Sequence, residues 1–265
     1  MKITILSFCA LLAISFNSAS ARTLVISDID DTIKMTGVLN SKHIVAFNGI
    51  FIKRAFAGMA KLYQQFDRDG KEIYYVSGSP EIISCRVDNF LDENHFPQRY
   101  NLILRESLSV DTYKYKMQGI RKILNQLKPD KVILIGDDTQ HDPEVYRDID
   151  KEYPGLVESI YIRVVRQAEL PNLPQMKSIF TSVEIAAAEY SKGEMSRESL
   201  IKVANKFIDR NDKKGIYLPK RYCPKEGRAE LDLFGKQVAD PQIKLLMDQV
   251  QGKIIETCLR SIVNH

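Results

Sequence analysis

Residues 24–32 read Leu24-Val25-Ile26-Ser27-Asp28-Ile29-Asp30-Asp31-Thr32, a short apolar run that turns at once into a cluster of acids and a hydroxyl. The run is β-branched and lacks polar alternation, which is the pattern of a strand buried on both faces of a parallel sheet. Asp28 and Asp30 then fall just past the carboxyl end of that strand, where open α/β sheets bind their ligands. Two carboxylates two residues apart repel unless a cation or a proton resolves the charge. A Mg2+ ion held there would leave one carboxylate free to attack phosphorus. The plainer alternative is a solvated acidic turn after a strand.

Outward from this stretch, short apolar runs alternate with amphipathic ones up to about residue 190. Strands are predicted at 23–27, 73–77, 101–105, 131–135 and 158–164, with a short one near 178–181. Helical periodicity fills 53–66, 80–93, 112–127, 143–150 and 183–191. In 112–127 the apolar residues Ile120, Ile123, Leu124 and Leu127 share one face. The alternation predicts an α/β fold, a parallel sheet with helices on both faces. Ser79-Pro80-Glu81 and Asp142-Pro143-Glu144 each read as an N-cap, a proline at the first helical position and an acid in the first turn. Both helix starts follow a strand, so their amide ends face the same edge as Asp28 and suit a phosphate.

The two ends of the chain differ from this core. Lys2, the apolar stretch Ile3 to Phe16 and Ala19-Ser20-Ala21 read as a signal peptide cut after Ala21, so the protein is expected to be exported, periplasmic or secreted. The predicted organisation is a signal peptide over 1–21, an α/β domain over 22–191 and a helical C-terminal extension over 192–265. Lys192-Gly193-Glu194-Met195-Ser196 reads as a linker, and Ser196–Ile208 and Pro241–Ile262 as helices. Between these helices, 213–222 is basic with interleaved tyrosines and can rest on an anionic bilayer or stand as a solvated loop. No later stretch is long and apolar enough for a transmembrane segment. Cys85, Cys223 and Cys258 allow one disulfide, Cys223–Cys258 being the pair expected, or three small buried hydrophobes. The formal net charge of +4 is mild and makes no case for nucleic acid as a partner.

Further chemistry gathers at the predicted strand ends. Ser77 and Gly78 offer a hydroxyl and a closely approachable amide for a phosphoryl group. Lys116 lies early in a helix, where the dipole disfavours a cation, so a bound anion would account for it. Lys114 competes for that role on spacing alone. Gly136-Asp137-Asp138-Thr139-Gln140-His141-Asp142 brings more carboxylates to the edge. Asp137 is the first metal ligand expected, Asp138 an alternate or supporting group, and Asp142 either a metal-site supporter or the cap of the next helix.

This ordered set resembles the haloacid dehalogenase-like superfamily of aspartyl-phosphate phosphatases, through DxDxT, a serine, a helix lysine and GDxxxxD. More narrowly, Ser27–Lys34 running into Thr36-Gly37-Val38-Leu39 looks like the catalytic domain of the App1-type phosphatidate phosphatases. Tyr75–Pro80, Ile135-Gly136-Asp137 through Gln140, and Asp142–Tyr146 share that likeness. The resemblance implies a Rossmann-like fold with little or no cap, with Asp28 as nucleophile and Asp30 as the acid that serves the leaving oxygen and then activates water. It further implies phosphate binding by Thr32, Ser77 and Lys116, and Mg2+ held by Asp28, Asp30 (through its carbonyl) and Asp137. The sequence departs from the family at Gly78 and at Asp138-Thr139. An open site suits a bulky substrate, such as an anionic lipid at a membrane surface. An exported phosphatase of soluble phosphomonoesters, and a secreted non-catalytic binding protein on the same fold, are the alternatives.

Overall fold

The computed structural model describes residues 21–37, 53–106, 109–166, 168–209 and 240–263, with side chains to 257 in the last helix. The signal segment up to residue 20, the basic segment 213–222 and the Cys223–Cys258 pairing lie outside the described residues. The strands are β1 (Thr23–Ser27), β2 (Glu72–Pro80), β3 (Asn101–Arg105), β4 (Lys131–Asp137), β5 (Val157–Arg163) and β6 (Met176–Ile179). The helices are α1 (Met59–Arg68), α2 (Ser84–Glu93), α3 (Thr112–Leu127), α4 (Asp142–Glu152), α5 (Ser182–Ser191), α6 (Arg197–Ile208) and α7 (Pro241–Val263).

All strand pairings are parallel, in the order β3-β2-β1-β4-β5-β6. The chain winds outward from β1 to β3, then returns to the other side of β1 for β4. The switch point therefore falls between β1 and β4, and the crevice there opens beyond their carboxyl ends. Alternation along each strand divides the core. Val25, Ile73, Tyr75, Ile133 and Ile135 face one way, against Leu62, Phe66, Phe90, Ile185 and Val203. Leu24, Ile26, Val132 and Leu134 face the other, against Met117, Ile120, Ile123, Val145 and Ile149. Helices thus cover both faces, as the alternation predicts.

Several local expectations are corrected. The helix predicted over 53–66 starts only at Met59, because Gly58 is left-handed (φ 75°) and Ala55 bridges to Lys34 in extended form. Ser79 caps no helix: β2 runs on to Pro80, a 3-10 turn takes Glu81–Ile83, and α2 begins at Ser84. Asp142 is the first residue of α4 rather than its cap, the cap position being His141.

The stretch 192–196 is bound to the domain, not loosely tethered. Met195 is buried, Glu194 receives Lys131 Nζ at 2.6 Å, and Ser196 Oγ accepts from Ser199 N at 3.1 Å to cap α6. Leu200, Val203 and Phe207 of α6 and Ile243, Met247, Val250 and Ile254 of α7 bury in the same cluster as the sheet. Among the described residues no helix is long and apolar enough to cross a membrane.

Candidate active site

Asp28 sits one residue past β1, and its backbone is fixed from both sides. Its amide donates to the Ile135 carbonyl at 2.9 Å across the β1–β4 seam. Its carbonyl accepts from Ser27 Oγ at 2.6 Å, and Ser27 Oγ in turn accepts from the buried Tyr63 hydroxyl at 2.6 Å. The side chain enters a crevice walled by β4 and two helix starts. Asp28, Lys116, Asp137 and Asp142 are each only 1–3% exposed.

Lys116 reaches this crevice because long side chains near a helix start lean back toward the N-terminus. Asp111 caps α3 by accepting from Lys114 N at 3.1 Å, which aims the first turn at the strand ends. Lys116 Nζ donates to Asp28 Oδ1 at 2.9 Å and to Asp142 Oδ1. Lys114 stays exposed, so the structure chooses between the two lysines. Asp142 can enter only because residue 136 is glycine. A Cβ there would lie 2.7 Å from Asp142 Cβ and 2.8 Å from its Cγ. Asp142 Oδ2 also accepts from the Asp137 amide at 3.3 Å.

Asp137 Oδ1 accepts from Thr139 N at 2.6 Å. The Thr32 hydroxyl lies 3.1 Å from Asp28 Oδ2 and 3.2 Å from Asp137 Oδ2. With one proton to give, it serves one of these carboxylates at a time. Thr32 is itself placed by Arg163, whose Nε donates to the Thr32 carbonyl at 2.8 Å while its Nη1 donates to the Phe180 carbonyl at 2.5 Å. The same guanidinium lies 4.0 Å from the centre of the Phe56 ring.

Asp30 and Asp138 stand apart from this group. Asp30 is half-buried and its carboxylate is held by hydroxyls, Thr36 Oγ1 at 2.5 Å, Ser79 Oγ at 2.7 Å and Ser77 Oγ at 3.4 Å. Asp138 turns to the loop after β5, accepting from the amides of Val165 at 2.6 Å, Arg166 at 2.7 Å and Ala168 at 3.1 Å. Ser77 Oγ also accepts from Ser79 N at 3.1 Å. Gly78 lies where β2 departs from register: Ser77 pairs with Leu104 but Pro80 with Arg105, so Gly78 and Ser79 bulge out. Arg163 and Tyr63 escaped the sequence reading, which gave Thr36 no role of its own and Ser79 only that of a helix cap. Only Ser79 had a local signal, since a glycine inside a strand pattern marks a bulge.

Charge decides what the crevice can hold. Burial raises the Asp28 carboxyl to about 7, against the opposing pull of Lys116, with Asp142 and Asp30 adding repulsion. Burial, Asp142 and Asp28 hold Asp137 well above the usual carboxylate range. Burial alone would lower Lys116, but Asp142, Asp28 and Asp137 together raise it, so it stays protonated. One lysine shared among three acids leaves uncompensated negative charge in a buried place, which a cation relieves. Oxygen atoms of Asp28, Asp137 and Asp142 lie within 4.8 Å of one another. An all-oxygen, carboxylate-rich donor set fits a hard divalent cation.

Known proteins resemble the part of the chain that carries this site. It is 30% identical to phosphatidate phosphatase APP1 of Saccharomyces cerevisiae over 149 residues, which is 52% of this chain and 25% of that protein. An uncharacterized protein of Schizosaccharomyces pombe is 22% identical over 180 residues, 60% of this chain and 30% of its own length. The chain thus spans less than a third of either relative. Among solved structures, a chain of the Pnkp1/Rnl/Hen1 complex aligns with a TM-score of 0.39 and 17% identity, covering 52% of this chain and 45% of that one, too distant to inform the site. The family described as "Phosphatidate phosphatase APP1, catalytic domain" matches residues 23–164, which run from β1 past β5 and carry Asp28, Asp30, Lys116, Asp137 and Asp142. With more than half of its length in that match, the chain belongs to the APP1 catalytic-domain family.

Proposed function

We propose that this chain is a Mg2+-dependent phosphomonoesterase that forms an aspartyl-phosphate on Asp28 and converts phosphatidate to diacylglycerol. The convergence of Asp28, Lys116, Asp137 and Asp142 in one buried crevice carries the reading. Asp28, Asp137 and Asp142 would hold the cation, which supplies charge neutralisation so that an anionic nucleophile can meet an anionic phosphate.

In the first half-reaction a carboxylate oxygen of Asp28 bonds to phosphorus as the bond from phosphorus to the ester oxygen breaks. Lys116 steadies charge on the transferring group. Asp30 gives its proton to the departing oxygen. In the second half-reaction Asp30 takes a proton from water, and the resulting hydroxide releases inorganic phosphate and frees Asp28. Asp28→Asn is expected to lower phosphate release by on the order of 10³-fold or more. Phosphate release from phosphatidate in mixed micelles, with and without Mg2+, measures this; full activity in the variant would end the nucleophile assignment.

A lipid is favoured over a soluble ester by the surroundings of Asp30. The segment whose Ser79 holds that acid continues through Pro80 to Ile82, which is 88% exposed. The matching family and the yeast relative are both named for phosphatidate, and an exposed isoleucine three residues past Ser79 would offer the acyl chains an apolar contact. Ile82→Asp is expected to lower turnover of phosphatidate in vesicles several-fold more than turnover of p-nitrophenyl phosphate. Equal effects on both would favour the soluble ester.

Export is part of the same reading. It rests on the signal pattern and is supported by Arg22, whose backbone nitrogen donates to Asp130 Oδ2 at 2.7 Å. Cleavage after Ala21 would turn that nitrogen into an ammonium already facing a carboxylate. The mass of the exported protein, beginning at Arg22, checks it.

A further inference from the structure

Asp30 must present one carboxyl oxygen to the leaving group, yet it lies on the loop past β1, immediately before the left-handed Asp31. Nothing in β1 itself fixes its side chain. The structure fixes it from outside, chiefly by two hydroxyls, one on each oxygen, with Ser77 Oγ a longer third contact at 3.4 Å on Oδ2. Thr36 Oγ1, on the continuation of the β1 loop, lies 2.5 Å from Asp30 Oδ1. Ser79 Oγ, at the end of β2, lies 2.7 Å from Asp30 Oδ2.

Each hydroxyl is itself anchored by its own segment. The Thr36 amide donates to Asp31 Oδ1 at 3.0 Å, as does that of Gly37 at 2.5 Å. Asp31 is fully buried and in the left-handed region (φ 57°), a conformation that aspartate tolerates better than most residues. Its carboxylate therefore has a structural use, shaping the loop that delivers Thr36. Ser79 is delivered by the bulge. Between Ser77 and Pro80 the strand β2 advances three residues while β3 advances one, from Leu104 to Arg105. A bulge of this kind re-aims the side chain of its extra residue. The Ser79 amide folds back onto Ser77 Oγ at 3.1 Å, closing the turn that points Ser79 Oγ at Asp30. Gly78 lets this bulge pack closely on the start of α3, since a Cβ there would lie 3.2 Å from Thr112 Cγ2.

We infer that Ser79 and Thr36 are positioning residues for Asp30: they hold both oxygens of the acid in the plane and direction that proton transfer to the leaving oxygen requires. The inference rests on the phosphomonoesterase reading and on Asp30 as its acid. Hydroxyls suit the task because a serine or threonine can donate to a carboxylate and accept from a carboxyl. Oδ1, which accepts from Thr36 Oγ1, keeps a second lone pair open to the substrate, whereas Oδ2 accepts from both Ser79 and Ser77.

The test is leaving-group dependence. A poor alkoxide leaving group needs the proton, whereas p-nitrophenolate leaves with little help. For Ser79→Ala and Thr36→Val, kcat/KM, which reports the step that expels the leaving group and not the later hydrolysis common to both substrates, should fall on the order of tenfold more on phosphatidate in mixed micelles than on p-nitrophenyl phosphate. Ser79→Thr and Thr36→Ser, which keep the hydroxyl, should restore most of the difference. A structural or phosphate-binding role would lower kcat/KM on both substrates alike, and that result overturns the inference. If Ser79→Ala fails to fold by circular dichroism, the Thr36 pair reads the other oxygen independently. Wild-type inactivity on both substrates, or full activity of Asp28→Asn, would instead remove the phosphomonoesterase reading and this inference with it.

Discussion

At the scale of single residues, the crevice is built as much by what is missing as by what is present. Gly136 lies on β4 with its missing Cβ aimed at Asp142, and any side chain there would overlap the Asp142 side chain at 2.5–2.8 Å. The overlap involves Asp142 Cβ as well as its carboxylate, so rotation of the end group alone gives no relief. Gly136→Ala is expected to drive Asp142 off Lys116 and out of the carboxylate trio that could hold a metal ion. Affinity for Mg2+ should fall on the order of 10–100-fold, as it does when a metal site loses a positioned ligand or its support. Titration calorimetry of wild type and variant with Mg2+ measures this, and an unchanged affinity would show that Asp142 serves only Lys116. The cost to folding should be modest by comparison, because the displaced carboxylate is one of three crowded acids.

At the scale of elements, helix starts aim the side chains and helix caps set their angle. α5 begins beneath the β6 edge with Glu184 turned back onto its own start. The carboxylate accepts from Thr181 N at 2.6 Å, Phe180 N at 2.9 Å and Thr181 Oγ1 at 2.9 Å, the reciprocal arrangement of a capping box. Burial nevertheless outweighs these donors and raises Glu184 from 4.5 to about 7. A carboxyl raised on folding binds its proton more tightly in the native state. Its contribution is therefore fully present below about pH 4.5 and is lost as pH rises through about 7. Glu184→Gln should flatten the fall in stability across that window, a difference on the order of 3 kcal/mol between its ends. Urea melts at intervals from pH 4.5 to 7.5 would show it, and parallel slopes for the two proteins would sink the assignment. The elements were largely readable beforehand because parallel strands buried on both faces leave near-continuous apolar runs, as at 24–26 and 132–135. A lysine at this helix start was readable for a related reason, a cation misplaced against a helix dipole, but Lys116 could be told from Lys114 only by the resemblance and then by the structure. The helix ends at 53–58 and 79–84 were not, because Ser-Pro-Glu reads alike as a cap and as the end of a bulged strand. Only pairing with Leu104 and Arg105, some 25 residues on, decides between them. The clamp on Asp30 was hidden for the same reason: Ser79 and Asp30 are 49 residues apart, and hydroxyls carry no periodic signal.

At the scale of the whole molecule, the sheet concentrates three buried carboxylates against one lysine at the β1–β4 switch point. Such a site is a liability to the empty protein and an asset to the loaded one. Without metal, burial and mutual repulsion hold Asp28 and Asp137 above their ordinary range, so ionising them at neutral pH works against the fold. With a divalent cation the same charges become ligands, and binding to the native state alone adds stability, about 2.7 kcal/mol at a hundredfold excess over Kd. Asp137→Asn should therefore change sign with conditions. In chelator at pH 7.5 the variant should melt higher than wild type, since it removes one buried charge while an amide keeps the hydrogen bond from Thr139 N. In excess Mg2+ wild type should overtake it, because the variant has lost a ligand. Calorimetric melts of both proteins in chelator and across a Mg2+ titration make the comparison, with no reliance on turnover. A wild-type melting temperature indifferent to Mg2+, or a variant less stable in both conditions, would mean that Lys116 alone neutralises the crevice and that the carboxylates are architectural.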